Sequence, residues 1–131
     1  MKDPNYAFSR RLEGISVEEG IDRVTEALKA NGFGVLTKID VQQTLKDKLG
    51  VDFRPYVILG ACNPRLAHRA LQGEPHIGLL LPCNVVVQDA EGAVLVSFAD
   101  PASMFALAPD APIEDVATEA RKLLRAACDQ L

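Results

Sequence analysis

Apolar and polar residues alternate at Tyr6, Phe8, Arg10 and Leu12, the period of an amphipathic strand near a sheet edge. The period then changes. Val17, Ile21, Val24 and Leu28 recur at helical spacing and form one stripe. Ser16 and Glu19 frame its start as a capping box, and Asn31-Gly32 ends it. Phe33 to Ile39 reads as a second strand. Asp40 opens a short helix with Val41, Leu45 and Leu49 expected to face inward, and Gly50 stops it.

Arg54 to Ala61 is a third strand carrying the dense run Tyr56-Val57-Ile58-Leu59. Asn63 sits where a helix cap belongs, and Pro64 at the first helical position, where a missing N–H costs nothing. Leu66, Ala67, Ala70 and Leu71 form the inward side of that helix, which Gly73-Glu74-Pro75 ends. Ile77 to Gln88 reads as one long strand. Asp89-Ala90-Glu91-Gly92 turns it back into Ala93 to Phe98, a hairpin. Asp100-Pro101 starts a short helix, and the last helix turns Ile113, Val116, Ala117, Ala120, Leu123, Leu124 and Ala127 inward.

The element order is β-α-β-α-β-α-β-β-α-α. One apolar stripe per helix predicts a two-layer α+β domain over residues 1–131, with a mixed sheet of about five strands covered mainly on one face. The other face is then open or covered by a second copy. Tyr6, Phe8 and the Ile77–Val87 strand are the expected homodimer surface.

Charge and composition narrow the classes of function. The 131 residues carry 14 Lys+Arg against 18 Asp+Glu, a net charge of −4, with the basic residues scattered. That excludes the electrostatic footprint of a nucleic-acid binder and a polybasic membrane patch. Met1-Lys2-Asp3-Pro4-Asn5 is polar and reads as no secretory leader, and the longest apolar run, Ile77 to Val87, is too short to span a bilayer. A cytoplasmic protein is expected. Its three cysteines are an odd count that does not suggest a disulfide framework.

The candidate chemistry lies in two Cys-Asn pairs, Gly60-Ala61-Cys62-Asn63-Pro64 and Leu81-Pro82-Cys83-Asn84-Val85. Each sets a thiol and a carboxamide beside an apolar run. Cys62 falls just before a helix start, where converging amides lower a thiol pKa and favour a small anion. Asn84, inside an apolar stretch, needs a hydrogen-bond partner or solvent. The leading expectation is a pocket for a small polar or anionic ligand, or a thiol-redox pair, built from Cys62, Asn63, Cys83 and Asn84. A metal site using Cys62, Cys83 and His76 is the alternative. A third reading is a non-enzymatic binding or assembly protein whose cysteines are core. His68 falls on the polar side of its helix, and Cys128 reads as packing. No dinucleotide fingerprint, phosphate loop or nucleophile elbow is present, and the cofactor, if any, is unknown from the sequence. Enzyme status stays open, because the sequence shows no general base near either thiol.

Tyr56 to Pro64, with Ala67 and Ala70-Leu71, followed by Ile77 to Val87, resembles the domain-of-unknown-function family numbered 302, small bacterial and archaeal proteins. The similarity runs from Phe33 to about Met104. It implies a compact α+β sandwich of one sheet and helices, often dimeric, and no activity. It also implies that relatives can lack the thiols while keeping the Asn-Pro and Leu-Pro frame, which leaves Asn63-Pro64 and Pro82 as the shared element.

Overall fold

A computed structural model describes residues 2–131; Met1, the first residue of the polar amino-terminal stretch, lies outside them. Five strands, β1 (Ala7–Leu12), β2 (Gly34–Asp40), β3 (Tyr56–Cys62), β4 (Cys83–Ala90) and β5 (Ala93–Ala99), form one sheet in the order β1-β5-β4-β3-β2. Five helices are α1 (Val17–Ala30), α2 (Val41–Leu49), α3 (Pro64–Gly73), α4 (Pro101–Phe105) and α5 (Glu114–Asp129). The element order agrees with that expected from the pattern, with one insertion: a 3-10 segment, Pro75–Leu80, precedes β4.

The sheet is antiparallel throughout rather than mixed. The reason is where the connections go. Neither α2 nor the α3 segment crosses the sheet to the far end of the next strand. Each leaves and returns at the same end, so β2-α2-β3 and β3-α3-β4 are elongated hairpins and not parallel crossovers.

Register separates the two faces of the sheet. Phe8, Phe98, Val85 and Leu59 form one row across β1, β5, β4 and β3, and all four are buried. The Phe8 and Phe98 rings stack with centroids 5.4 Å apart. This face lies under α1 and α5. The capping box forms as expected: Ser16 Oγ accepts from the Glu19 amide at 3.1 Å, while Glu19 Oε1 accepts from the Ser16 amide at 3.3 Å. The stripe residues Ile21, Val24 and Leu28 are buried. Gly20 lets α1 approach the sheet closely, since a Cβ there would lie 2.9 Å from Val94 Cγ1. The next row, Ser9, Ser97, Val86, Ile58 and Ile39, belongs to the opposite face and is half-buried or exposed.

The expected dimer surface is corrected by this register. Phe8, Val85 and Val87 point into the core beneath the helices and are unavailable to a second copy, whereas Tyr6 is exposed. The α2 stripe is corrected too: this helix has no buried residue, and Leu49 is 69% exposed. No helix among the described residues is long and apolar enough to cross a membrane.

Candidate functional site

The antiparallel return from β3 to β4 decides where the two Cys-Asn pairs lie. Cys62 is the last residue of β3 and Cys83 the first of β4, and Ala61 faces Cys83 across the ladder. A parallel crossover would have put these strand ends at opposite edges of the sheet. The hairpin excursion puts both thiols at the same end, but Cys83 shares the face of Ala61 while Cys62, the next residue of β3, belongs to the other face.

Local chemistry shapes that end. Asn63 leaves the strand in extended conformation, and its Oδ1 accepts from the Leu66 amide at 3.2 Å, capping α3 with Pro64 behind it. Leu66 and Ala70 are then the buried face of α3. After Glu74 the chain makes the 3-10 segment instead of entering a strand. Glu74 Oε1 accepts from the His76 amide at 2.9 Å, which fixes the first turn and holds the Glu74 carboxyl below its usual range. The strand expected from Ile77 therefore starts only at Cys83, after a cis Leu81-Pro82 peptide.

Between α3, the Leu81-Pro82-Cys83 segment and the end of β3 lies a cavity of about 20 Å³. Cys62, Asn63 and Cys83 line it, with apolar walls from Phe33, Leu66 and Phe105 among others. Among the described residues no ionisable residue except the two cysteines lines it. A volume of this size accommodates one water-sized occupant. An adjoining cleft of about 110 Å³ shares Leu81, Pro82, Cys83 and Phe105 with it and adds Asn84 and Met104.

The electrostatics differ from the expectation of an activated thiolate. Burial pushes the Cys62 thiol up, not down. Cys83 is pushed up to about 11, chiefly by burial and then by the nearby Cys62. No cation or base faces either sulfur from the cavity wall to offset desolvation. Both thiols are neutral at physiological pH, and all three cysteines are free.

The other predicted site residues separate. Asn84 is exposed, opposite Gly60 in the ladder, and lines the adjoining cleft rather than the thiol cavity, so solvent meets its hydrogen-bonding needs. His76 does not join the cysteines. Its side chain is 87% exposed and its Nδ1 lies 3.0 Å from Glu74 Oε1. His68 is exposed on α3. Among the described residues no group of three or more His, Cys, Asp and Glu is placed to hold a metal, so the Cys62, Cys83 and His76 set is not assembled. Cys128 is buried in the core, as its place on the last stripe suggests.

Sequence reasoning missed the apolar walls, because Phe33 and Phe105 are remote in sequence from both motifs. It also missed a close approach on the other face of the sheet, between β3 and the segment that carries Cys83. A Cβ on Gly60 would lie 2.8 Å from Pro82 Cγ and closer still to Thr37 Oγ1. A glycine inside a strand is itself the signal for such close approach.

Comparisons with known proteins agree with this architecture. The family model described as domain of unknown function DUF302 matches residues 8–131. The crystal structure of an uncharacterized conserved protein DUF302 from Bacillus stearothermophilus is similar with a TM-score of 0.88 and 32% sequence identity, over 97% of this chain and 98% of that one. No curated protein matches the chain.

Proposed function

The chain belongs to the DUF302 family, and we propose that it is a binding protein whose working site is the cavity at Cys62, Asn63 and Cys83. The single observation that carries this reading is that the motifs at Cys62-Asn63 and Pro82-Cys83 both line one small apolar cavity whose only ionisable lining residues, among the described residues, are the two cysteines. Binding fits the site better than thiol redox chemistry. Neutral thiols with no base beside them are poor nucleophiles, whereas a small ligand gains from an apolar recess with a few polar groups at its rim. A reducing, cytoplasmic setting keeps such thiols available.

The ligand must be about the size of a water molecule or a single ion, or enter from the adjoining cleft. Amide NMR titration with small inorganic anions, soft metal cations and short thiol-reactive or polar organic probes tests this. At least one probe is expected to shift the amides of Cys62, Asn63, Leu66 and Cys83 selectively. Ala67→Leu, which adds bulk to the cavity wall, is expected to abolish those shifts. Shifts spread over the surface, or unchanged by Ala67→Leu, count against the cavity.

A homodimer is proposed on a different surface from the one expected. Leu36 and Ile39 on edge strand β2, Leu49 at the end of α2 and Val51 just beyond it are 68%, 49%, 69% and 44% exposed. Sedimentation equilibrium should then give a dimer that Leu36→Lys with Leu49→Lys converts to a monomer. A monomeric wild type at all concentrations overturns this part.

A further inference from the structure

We propose that the cleft beside the thiol cavity binds a neutral, short-chain aliphatic carboxamide, its chain against Leu80, Leu81, Met104 and Phe105 and its amide head on Asn84. The cleft has walls of its own, so this goes beyond the cavity reading and does not rest on it.

The fold makes the cleft at one end of the sheet. Val85 pairs with Phe98, so the start of β4, with Asn84, lies beside the end of β5, with Ala99. The end of the 3-10 segment and α4 supply further walls. The space among them is about 110 Å³. An apolar cavity of about 150 Å³ takes a benzene ring, so this one takes a chain of about four carbons. Leu79 at the rim is 85% exposed and leaves apolar surface for such a chain to cover.

Two features choose the head group. Apart from the Cys83 thiol, neutral at physiological pH, no ionisable side chain among the described residues lines the cleft. A carboxylate or an ammonium would give up water there without a counter-charge, so the site selects a neutral molecule. Asn84 is exposed, and its carboxamide has no hydrogen-bond partner among the described residues. It offers one acceptor and two donors, which a primary carboxamide matches with a reciprocal pair of hydrogen bonds.

The test is a chain-length series of neutral amides, propionamide to heptanamide, titrated into the full chain and read by amide NMR. Shifts are expected at Leu80, Cys83, Asn84 and Met104. Affinity should rise about fourfold per added methylene and level off near pentanamide, once the cleft is full. Pentanoate, the ionised counterpart, should bind at least about tenfold more weakly. Asn84→Ala should lower the affinity for pentanamide about fivefold. Met104→Ala enlarges the cleft and should move the plateau to a longer amide. Ala99→Leu fills it and should abolish the shifts; should that variant fail to fold, the plateau in Met104→Ala decides. Affinity that climbs without a plateau, or a plateau that Met104→Ala leaves in place, overturns the proposal. So does pentanoate bound as tightly as pentanamide. The two sites fail separately. If no amide binds while another probe gives shifts abolished by Ala67→Leu, the aliphatic ligand is wrong and the cavity reading stands. If pentanamide binds and obeys the cleft variants while no probe responds to Ala67→Leu, the cleft site stands and the cavity reading falls.

Discussion

The Pro82 ring occupies the space that a side chain on Gly60 would need. A Cβ at position 60 would lie 2.8 Å from Pro82 Cγ, and Thr37 Oγ1 crowds it from β2. Thr37 can turn its side chain toward solvent, but Pro82 is a rigid ring between Leu81 and Cys83. Gly60→Ala should therefore displace the segment that carries Cys83. Overpacking of this kind costs about 1–3 kcal/mol. Urea denaturation should show a loss in that range, with amide shifts at Cys83 and Asn84. Gly60→Ala with Thr37→Ser should recover only part of it. A variant as stable as the wild type would mean that the Pro82 contact yields freely.

Titration separates the two thiols from ordinary cysteine. Cys83 rises from 9.0 to about 11 because burial penalises its thiolate, and the neighbouring Cys62 adds to this. Only the thiolate is alkylated, so near pH 8 about one Cys83 in a thousand is reactive. In metal-free protein its iodoacetamide rate should climb about tenfold per pH unit and level off near pH 11. Cys62→Ser should lower that midpoint. The stability consequence has a definite sign. The folded state prefers the neutral thiol, so its contribution is complete below pH 9 and lost as pH rises from 9 to about 11. The loss is about 2–3 kcal/mol relative to Cys83→Ala over the same window. A Cys83 alkylation midpoint at or below 9 would contradict the burial account.

Much of this arrangement is legible in the sequence, for identifiable reasons. Ser16 with Glu19, and Asn63 with Pro64, are local signals whose hydrogen bonds involve only neighbours, and both caps form. The two-residue turn at Glu91-Gly92 likewise closes the β4–β5 hairpin, with Ala90 opposite Ala93. What failed depended on tertiary context. Ile77 to Leu81 is an unbroken apolar run without period, and such a run fits a short helical segment as well as a strand. Pro75 at its start and Gly78 within it were the available cues. The stripe Val41, Leu45 and Leu49 has helical period, but the chain covers it only in part, leaving Val41 and Leu45 half-buried and Leu49 exposed. Strand direction was the costliest miss. Sequence order alone does not say whether α3 crosses the sheet or returns, and only the return brings Cys62 to Cys83.

The two Cys-Asn pairs should respond differently to loss of the carboxamide. Asn63 Oδ1 satisfies the Leu66 amide at the start of α3. Removing a cap of this type costs about 1 kcal/mol, and up to about 2. Asn84 is exposed on β4, where substitutions away from special contacts stay within about 0.5 kcal/mol. Denaturation midpoints should therefore fall for Asn63→Ala and hardly move for Asn84→Ala, while Asn63→Ser keeps most of the stability. Equal losses at the two positions would show that Asn84 has a structural partner in solution.

Gly20 allows a final test, one that sets helix propensity against packing. In an exposed helix interior Gly→Ala would stabilise by about 1 kcal/mol, because alanine loses less backbone entropy. Gly20 is buried on the sheet side of α1, and an added Cβ would lie 2.9 Å from Val94 Cγ1 and 3.2 Å from Val87 Cγ1. Both neighbours are β-branched and stiff at χ1, so neither can swing away. Overpacking costs about 1–3 kcal/mol and should outweigh the propensity gain, leaving Gly20→Ala less stable by about 1 kcal/mol. Val94→Ala alone removes buried methyl groups and is also destabilising. The combination relieves the closest contact and restores the propensity benefit, so the double variant should be more stable than the two single losses add up to. A double-mutant cycle by chemical denaturation measures that coupling. Strict additivity would mean that α1 shifts as a unit and that its close approach to β5 is not held by Gly20.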